Sequence, residues 1–213
     1  MNRYLQTRLT TPARFRLPVT TQSAFLSLQA TYANEVRIRN LEPIMDQPTI
    51  QHIQHVAEWI TAPKPKFGML ICGHCGNGKT TLIRALRTLL QYIYHNQSLD
   101  KQHYIRIVEA KEIVRLAKQE PDKYRNLCNT EMLAIDDFGT EPTEVIDYGN
   151  ILNPVIDLLT TRYNDQLFTI ITTNLTPPQV REHYGDRIAD RFNEMMDRIV
   201  FDNPSYRNIN NNH

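Results

Sequence analysis

The sequence has little cysteine, three residues in 213, which excludes a fold stapled by disulfides and suits a reducing compartment. It also lacks an excess of either charge: 24 Lys and Arg stand against 23 Asp and Glu, leaving +1 at pH 7. A global basic field is therefore excluded, and any contact with nucleic acid has to come from a local patch. No run approaches the roughly 18 consecutive apolar residues of a membrane helix, and the first residues lack the apolar centre of a secretory signal. No membrane partner is expected, and a cytoplasmic location is. No internal repeat appears, and only the Asn-rich end, Asn208 to Asn212, is of low complexity. What is present is a globular composition, 41% hydrophobic and 22% charged, in a chain long enough to bury a core. The length suits one domain of about 150 residues plus a short arm.

The pattern along the chain begins with a basic stretch, Met1 to Val19, carrying Arg3, Arg8, Arg14 and Arg16 without a sustained period and read as weakly ordered. A helix is expected over Thr20 to Arg39, with Phe25, Leu28, Tyr32 and Val36 on one face. A second follows Pro48, with Ile50, Ile53, Ala57 and Ile60 on one face and Thr49 as its cap. Beyond Pro63 and Pro65 the pattern alternates. Strands are expected at Phe67 to Cys72, Tyr104 to Val108, Glu131 to Ile135, Leu167 to Thr172 and Arg198 to Phe201. Helices are expected at Thr80 to Tyr94, Ala110 to Lys118 and, as one long element, Thr143 to Tyr163. Such alternation demands parallel strands with helices on both faces, an α/β sandwich.

The strongest chemical signal is Gly73-His74-Cys75-Gly76-Asn77-Gly78-Lys79-Thr80, a GxxxxGK[ST] loop with an apolar strand before it and a helical pattern after it. Gly73, Gly76 and Gly78 let backbone N–H groups approach phosphate oxygens. Lys79 can reach the β and γ phosphates, the Thr80 hydroxyl can coordinate Mg²⁺, and the helix start adds partial positive charge. With Asn77 and Thr81, these residues form the expected ATP-binding set. Cys72 and Cys75 form a CxxC inside this loop; with no second pair at finger-like spacing, it is read as coincidence. His52 and His55, at HxxH spacing, are read as surface residues.

Met132-Leu133-Ala134-Ile135-Asp136-Asp137 is an apolar strand ending in two acids. In a phosphate-loop fold Asp136 would hold Mg²⁺, and Asp137 would orient or deprotonate the attacking water. Thr169 to Asn174 is a β-branched strand ending in an amide that can bond the γ phosphate; the alternative is a cap for the helix near Pro177. Arg187 and Arg191, four apart, share a helical face and can serve a phosphoryl transition state from a neighbouring subunit.

The ordered set GHCGNGKT, LAIDDFG, ITTN, GDRIADRF and NPSYR resembles the AAA+ ATPases of the DnaC-type helicase-loader family, a group that also holds the transposon helper ATPase IstB. The resemblance covers Leu41 to Arg207. It implies a P-loop core over 41–207, preceded by a basic helical arm at 1–40 and followed by a polar tail at 208–213. The implied sheet is five-stranded with order 5-1-4-3-2. Asn174 matches the first sensor, Arg191 the arginine finger that acts on a neighbour's ATP, and Arg187 the box VII position. An inserted helix at Pro121 to Asn129 is implied, with Lys118, Lys123 and Arg125 as a basic patch for single-stranded DNA. Only about a dozen residues follow the last strand, so a truncated lid is expected, and with it no second-sensor arginine. The implied partners are a replicative DNA helicase or a transposase, single-stranded DNA, and further copies of the chain. A small-molecule P-loop kinase and a protein that uses ATP only structurally are the more distant alternatives.

Overall fold

The computed structural model describes residues 14–96, 103–147 and 150–207. Its centre is a parallel sheet of five strands: β1 (Gly68–Gly73), β2 (Arg106–Glu109), β3 (Met132–Phe138), β6 (Phe168–Thr173) and β7 (Met196–Phe201). They lie side by side as β2-β3-β6-β1-β7. Counting these five alone, the order is 2-3-4-1-5, the expected one read from the opposite edge. β1 sits between β6 and β7, with Met69 opposite Ile170 and Asp197.

The period of two sorts the strand residues into two hydrophobic clusters. Met69 and Ile71 face one, built with α1 (Thr21–Arg37), α2 (Gln47–Thr61) and α3 (Lys79–Asn96). Leu70 and Cys72 face the other, built with α4 (Ala110–Gln119), α5 (Pro121–Cys128), α6 (Pro154–Asn164), α7 (Pro177–Tyr184) and α8 (Asp186–Met195). Strands buried on both faces read as unbroken apolar runs, which is why β1, β3 and β6 were legible.

The expected long helix from Thr143 to Tyr163 is wrong in its first half. The chain there forms an antiparallel pair, β4 (Val145–Asp147) with β5 (Asn150–Leu152), and α6 begins only at Pro154. Proline lacks the N–H that a helix interior needs, but it suits the first turn, where Pro154 sits. The inserted helix is present as α5. Its basic residues are not free, however: Lys123 pairs with Glu120 and Arg125 with Asp122 along the helix. All three residues of the expected DNA patch, Lys118, Lys123 and Arg125, are exposed, and two of them share their charge with a neighbouring acid.

The front of the chain is packed more firmly than its composition suggests. Leu17 is fully buried and donates its N–H to the Ile60 carbonyl at 2.8 Å. Arg14 and Arg16 donate to the carbonyls of Pro65 and Thr61 at 2.9 and 2.8 Å. Met1 to Ala13 and Asn208 to His213 lie outside the described residues. In α1 the buried face is Ala24, Leu28, Tyr32 and Val36, with Phe25 only half-buried. α2 is capped by Asp46, whose carboxylate accepts the Thr49 N–H at 3.0 Å, so Thr49 is not the cap.

His52 is a core residue, not a surface one. Its ring stacks on Phe201 at 3.7 Å between centroids. Burial pulls its pKa below the ordinary imidazole value near 6.5, against opposing pulls from the Val200 backbone, Asp202 and Asp46. The unfolded chain therefore binds a proton that the folded chain refuses, so stability falls as pH drops through about 6.5. His52→Phe is expected to flatten that slope between about pH 7 and 5 in urea titrations; an unchanged slope would assign the acid sensitivity elsewhere.

Candidate active site

The site forms where the C-terminal ends of β1, β3 and β6 meet the start of α3, the place where open α/β sheets bind ligands. The loop from Gly73 to Thr80 has its apolar strand behind it and turns at Gly76 and Gly78, with φ of +83° and +102°. Neither position accepts a side chain. A Cβ at Gly76 would collide with the Ser205 hydroxyl, and one at Gly78 would lie 2.5 Å from the Tyr32 hydroxyl. The loop is thus clamped between α1 and the segment after β7. That segment braces it further: the Tyr206 N–H donates to Gly76 O at 3.0 Å, and Asn203 Nδ2 donates to Asn77 O at 3.1 Å.

Lys79 Nζ is held by four acceptors, Gly73 O and His74 O at 2.7 Å, Asn174 Oδ1 at 2.9 Å and Asn77 Oδ1 at 3.2 Å. Burial lowers its pKa, and Cys75, Asp137 and Asp136 pull it back up. The helix after Asn174 is capped by Thr176 and Gln179, so the cap alternative fails and Asn174 points to the lysine. Asn77 is nearly fully buried, and its amide donates to Phe201 O at 3.0 Å. Its side chain braces the loop. Thr81 likewise has a partner in Arg39, whose Nη2 donates to its hydroxyl at 2.7 Å.

Thr80 Oγ1 donates to Asp136 Oδ1 at 3.0 Å. Together with Asp137 they present hard oxygen donors beside the phosphate loop, the ligand type Mg²⁺ takes. Asp137 is exposed and lines the cleft, with its backbone in the left-handed region at φ +55°.

The cleft has a volume of about 280 Å³. Along with the loop, Asp137 and Asn174, it is lined by Tyr32, Val36, Arg39, Leu41 and Ile44 from the front of the chain, and by Tyr206 and Arg207 from its end. Sequence reasoning assigned none of these seven to the site. It also expected no second-sensor arginine, yet Arg207 lines the cleft and donates to Cys75 Sγ at 3.5 Å. The Asn-Pro-Ser-Tyr-Arg run was the available signal. Tyr206 is tied by its hydroxyl to the Asp46 carboxylate at 2.8 Å and to Thr49 Oγ1 at 2.8 Å, which fixes the residue next to Arg207. Of the two cysteines, Cys72 is buried and its thiol is pushed up by burial, whereas Cys75 is exposed at the cleft.

Arg187 and Arg191 do not line this cleft, and Asp136 reaches it only through its bond to Thr80. Arg187 is exposed on α8. Arg191 donates to Thr160 Oγ1 at 2.5 Å and stacks 4.9 Å over the Tyr163 ring.

Neither a protein-family model nor a curated protein matches the sequence. Solved structures do match. A DnaI structure is similar with a TM-score of 0.57 at 23% identity, over 76% of this chain and 86% of that one. The DnaC helicase loader is similar with a TM-score of 0.57 at 22% identity, over 80% of this chain and 98% of that one. AMPPCP-bound DnaA from Aquifex aeolicus is similar with a TM-score of 0.51 at 18% identity, over 78% of this chain but only 50% of that one. No helix of the described residues is long and apolar enough to cross a membrane. Strand order, loop position and structural likeness agree on one fold, and the chain has the P-loop α/β fold that these solved structures share.

Proposed function

We propose that this protein binds and hydrolyses ATP as a helicase-loader-like helper of DNA replication. The observation that carries the reading is the convergence of Lys79, Thr80, Asp137 and Asn174 on one cleft, with Asp136 bonded to Thr80 just behind it. Tyr32, Val36, Leu41 and Ile44 offer an aromatic and aliphatic wall for the base. In this reading the phosphates would lie against the loop amides and Lys79, with Asn174 and Arg207 lining the same cleft. Thr80 and Asp136 are the residues that would hold Mg²⁺, which when bound would supply positive charge against the phosphates. Asp137 orients a water and takes its proton as the water oxygen bonds to the γ phosphorus. The bond to the bridging oxygen breaks, and ADP leaves with that electron pair. Asp is a methylene shorter than the Glu many ATPases use here, and slow turnover follows.

The resemblance to the DnaC-type family supports assembly of several subunits on single-stranded DNA. Because Lys123 and Arg125 each share their charge with a neighbouring acid, the patch on one subunit is weak, and DNA binding depends on aligning several. It also supports Arg191 acting on a neighbour's ATP, consistent with its distance from its own cleft.

Mixing two inactive variants tests this. Arg191→Ala is expected to lose turnover by about 10³-fold while binding a fluorescent ATP analogue like the wild type. Asp137→Asn is expected to be equally inactive. Mixed together, they place intact arginines beside intact aspartates and recover part of the activity. Wild-type turnover no greater than that of Asp137→Asn would end the hydrolase reading. A mixture that stays inactive while both variants bind ATP would return Arg191 to its own subunit. Retrieval of the bound partner separates a replicative helicase from a transposase, since both are served by the same motifs.

A further inference from the structure

Asp136 and Asp137 are consecutive, and in a regular strand consecutive side chains point to opposite faces. Here both serve one site, and the reason is a break in the ladder. β3 pairs with β6 in register from Met132 opposite Phe168 to Ile135 opposite Ile171. The next pair is Phe138 opposite Thr173, so three steps along β3 match two along β6. This is a bulge, and bulges re-aim side chains. The extra residue takes up the turn at Asp137, where φ is +55°, a conformation Asp tolerates better than most residues.

A bulge strands backbone groups that the ladder would have paired. The Asp137 N–H goes to a side chain, Thr172 Oγ1, at 3.0 Å. The same hydroxyl donates its proton to Asp136 Oδ1, the oxygen that also accepts from Thr80. Thr172 is fully buried. A hydroxyl has one proton to give and lone pairs to accept with; this one spends its proton on the first acid and a lone pair on the amide of the second. Valine has the same branching and nearly the same volume but makes neither bond.

We infer that Thr172 is a positioning residue for hydrolysis: it fixes the bulge that aims Asp137 at the cleft and holds Asp136 against Thr80. The inference rests on the ATPase reading above and deepens it, since it names the side chain that sets the two acids in their places.

The test is steady-state ATP hydrolysis by the full chain, with ATP-analogue affinity and melting temperature measured on the same preparations. Thr172→Val is expected to lower kcat about 10- to 100-fold, the cost of misplacing a reacting group by about an ångström, with affinity within about twofold because Lys79 and the loop amides are untouched. Thr172→Ser keeps both bonds and is expected to restore kcat to within about threefold of wild type. If valine lowers the yield of folded protein, Thr172→Ala carries the same expectation. A merely structural threonine would give a lower melting temperature with normal kcat per folded molecule and no rescue by serine. Wild-type kcat in Thr172→Val overturns the inference while leaving the ATPase reading intact, provided Asp137→Asn is inactive in the same assay. Equal turnover by wild type and Asp137→Asn overturns both.

Discussion

Lys79→Ala is expected to weaken ATP binding by about 10- to 100-fold and to reduce turnover by about 10²- to 10³-fold. The first figure follows from a charge-assisted hydrogen bond being worth about 1.5–3 kcal/mol. The second follows from the cost of removing one preorganised charge from a phosphoryl or acyl transition state, about 3–4 kcal/mol. The ammonium already stands at the reacting end of the cleft, between the loop carbonyls of Gly73 and His74 and the amide of Asn174. Its three protons are shared among four protein acceptors, so it meets a γ phosphate by exchanging some of these bonds for phosphate oxygens without moving far. Burial lowers its pKa, which makes its charge costly where it stands and strengthens any bond to an anion. Lys79→Arg checks that geometry matters as well as charge. A planar guanidinium does not fit a point-charge position ringed by carbonyls, and turnover is expected to fall nearly as far. ATP-analogue titration and phosphate release are the readouts, with melting temperature controlling for the loop. Affinity within twofold of wild type in Lys79→Ala would remove the lysine from the phosphate site.

The parts of this site that were legible in the sequence are those made by one strand and the turn after it. β1 with its glycine loop, β3 with its acids and β6 with Asn174 each carry their own local signature. A buried parallel strand is an apolar run, and its functional residues follow immediately at its C-terminal end. What was not legible is made by residues distant in sequence. Tyr32 and Arg39 reach the cleft because α1 packs beside α3, where Glu35 accepts from Thr88 Oγ1 at 2.8 Å. Tyr206 and Arg207 reach it because Asp46 and Thr49, 160 and 157 residues earlier, hold the tyrosine hydroxyl. No local pattern carries such a bond. Thr172 was hidden differently. It lies inside a strand that was read correctly, but its role depends on a register shift that only the paired strands reveal. The misread half of the Thr143 to Tyr163 helix had a visible warning in Pro154. Apolar spacing was allowed to outweigh a residue that cannot occupy a helix interior.

Arg162→Met is expected to cost about 2–4 kcal/mol of folding stability, the largest effect predicted for a residue outside the cleft. Arg162 is 0% exposed, on the face of α6 turned to the sheet. It has four bonds: Nε donates to Thr169 Oγ1 at 2.8 Å, Nη1 to Thr130 O at 2.7 Å and Cys128 O at 3.2 Å, and Nη2 to Phe168 O at 2.6 Å. No carboxylate accepts from it among the described residues. Burial pushes its pKa down to about 9, which leaves it charged at neutral pH. Two effects then oppose each other. Methionine relieves the desolvation of a cation, which on its own is often neutral or favourable. It also strips the carbonyls of Cys128, Thr130 and Phe168 of donors in a site closed to water, at about 1–3 kcal/mol each. Three stranded carbonyls outweigh one relieved charge, because dipoles from three chain segments already surround that charge. Arg162→Lys keeps a cation with fewer, shorter-reaching donors and is expected to fall between wild type and methionine. Urea unfolding reads the loss as a lower midpoint at an unchanged slope. Cys128 and Thr130 join α5 to β3, so hydrogen exchange in Pro121 to Thr130 should accelerate before the rest of the sheet opens. A methionine variant with the wild-type midpoint would show that the buried guanidinium costs as much as its four bonds return.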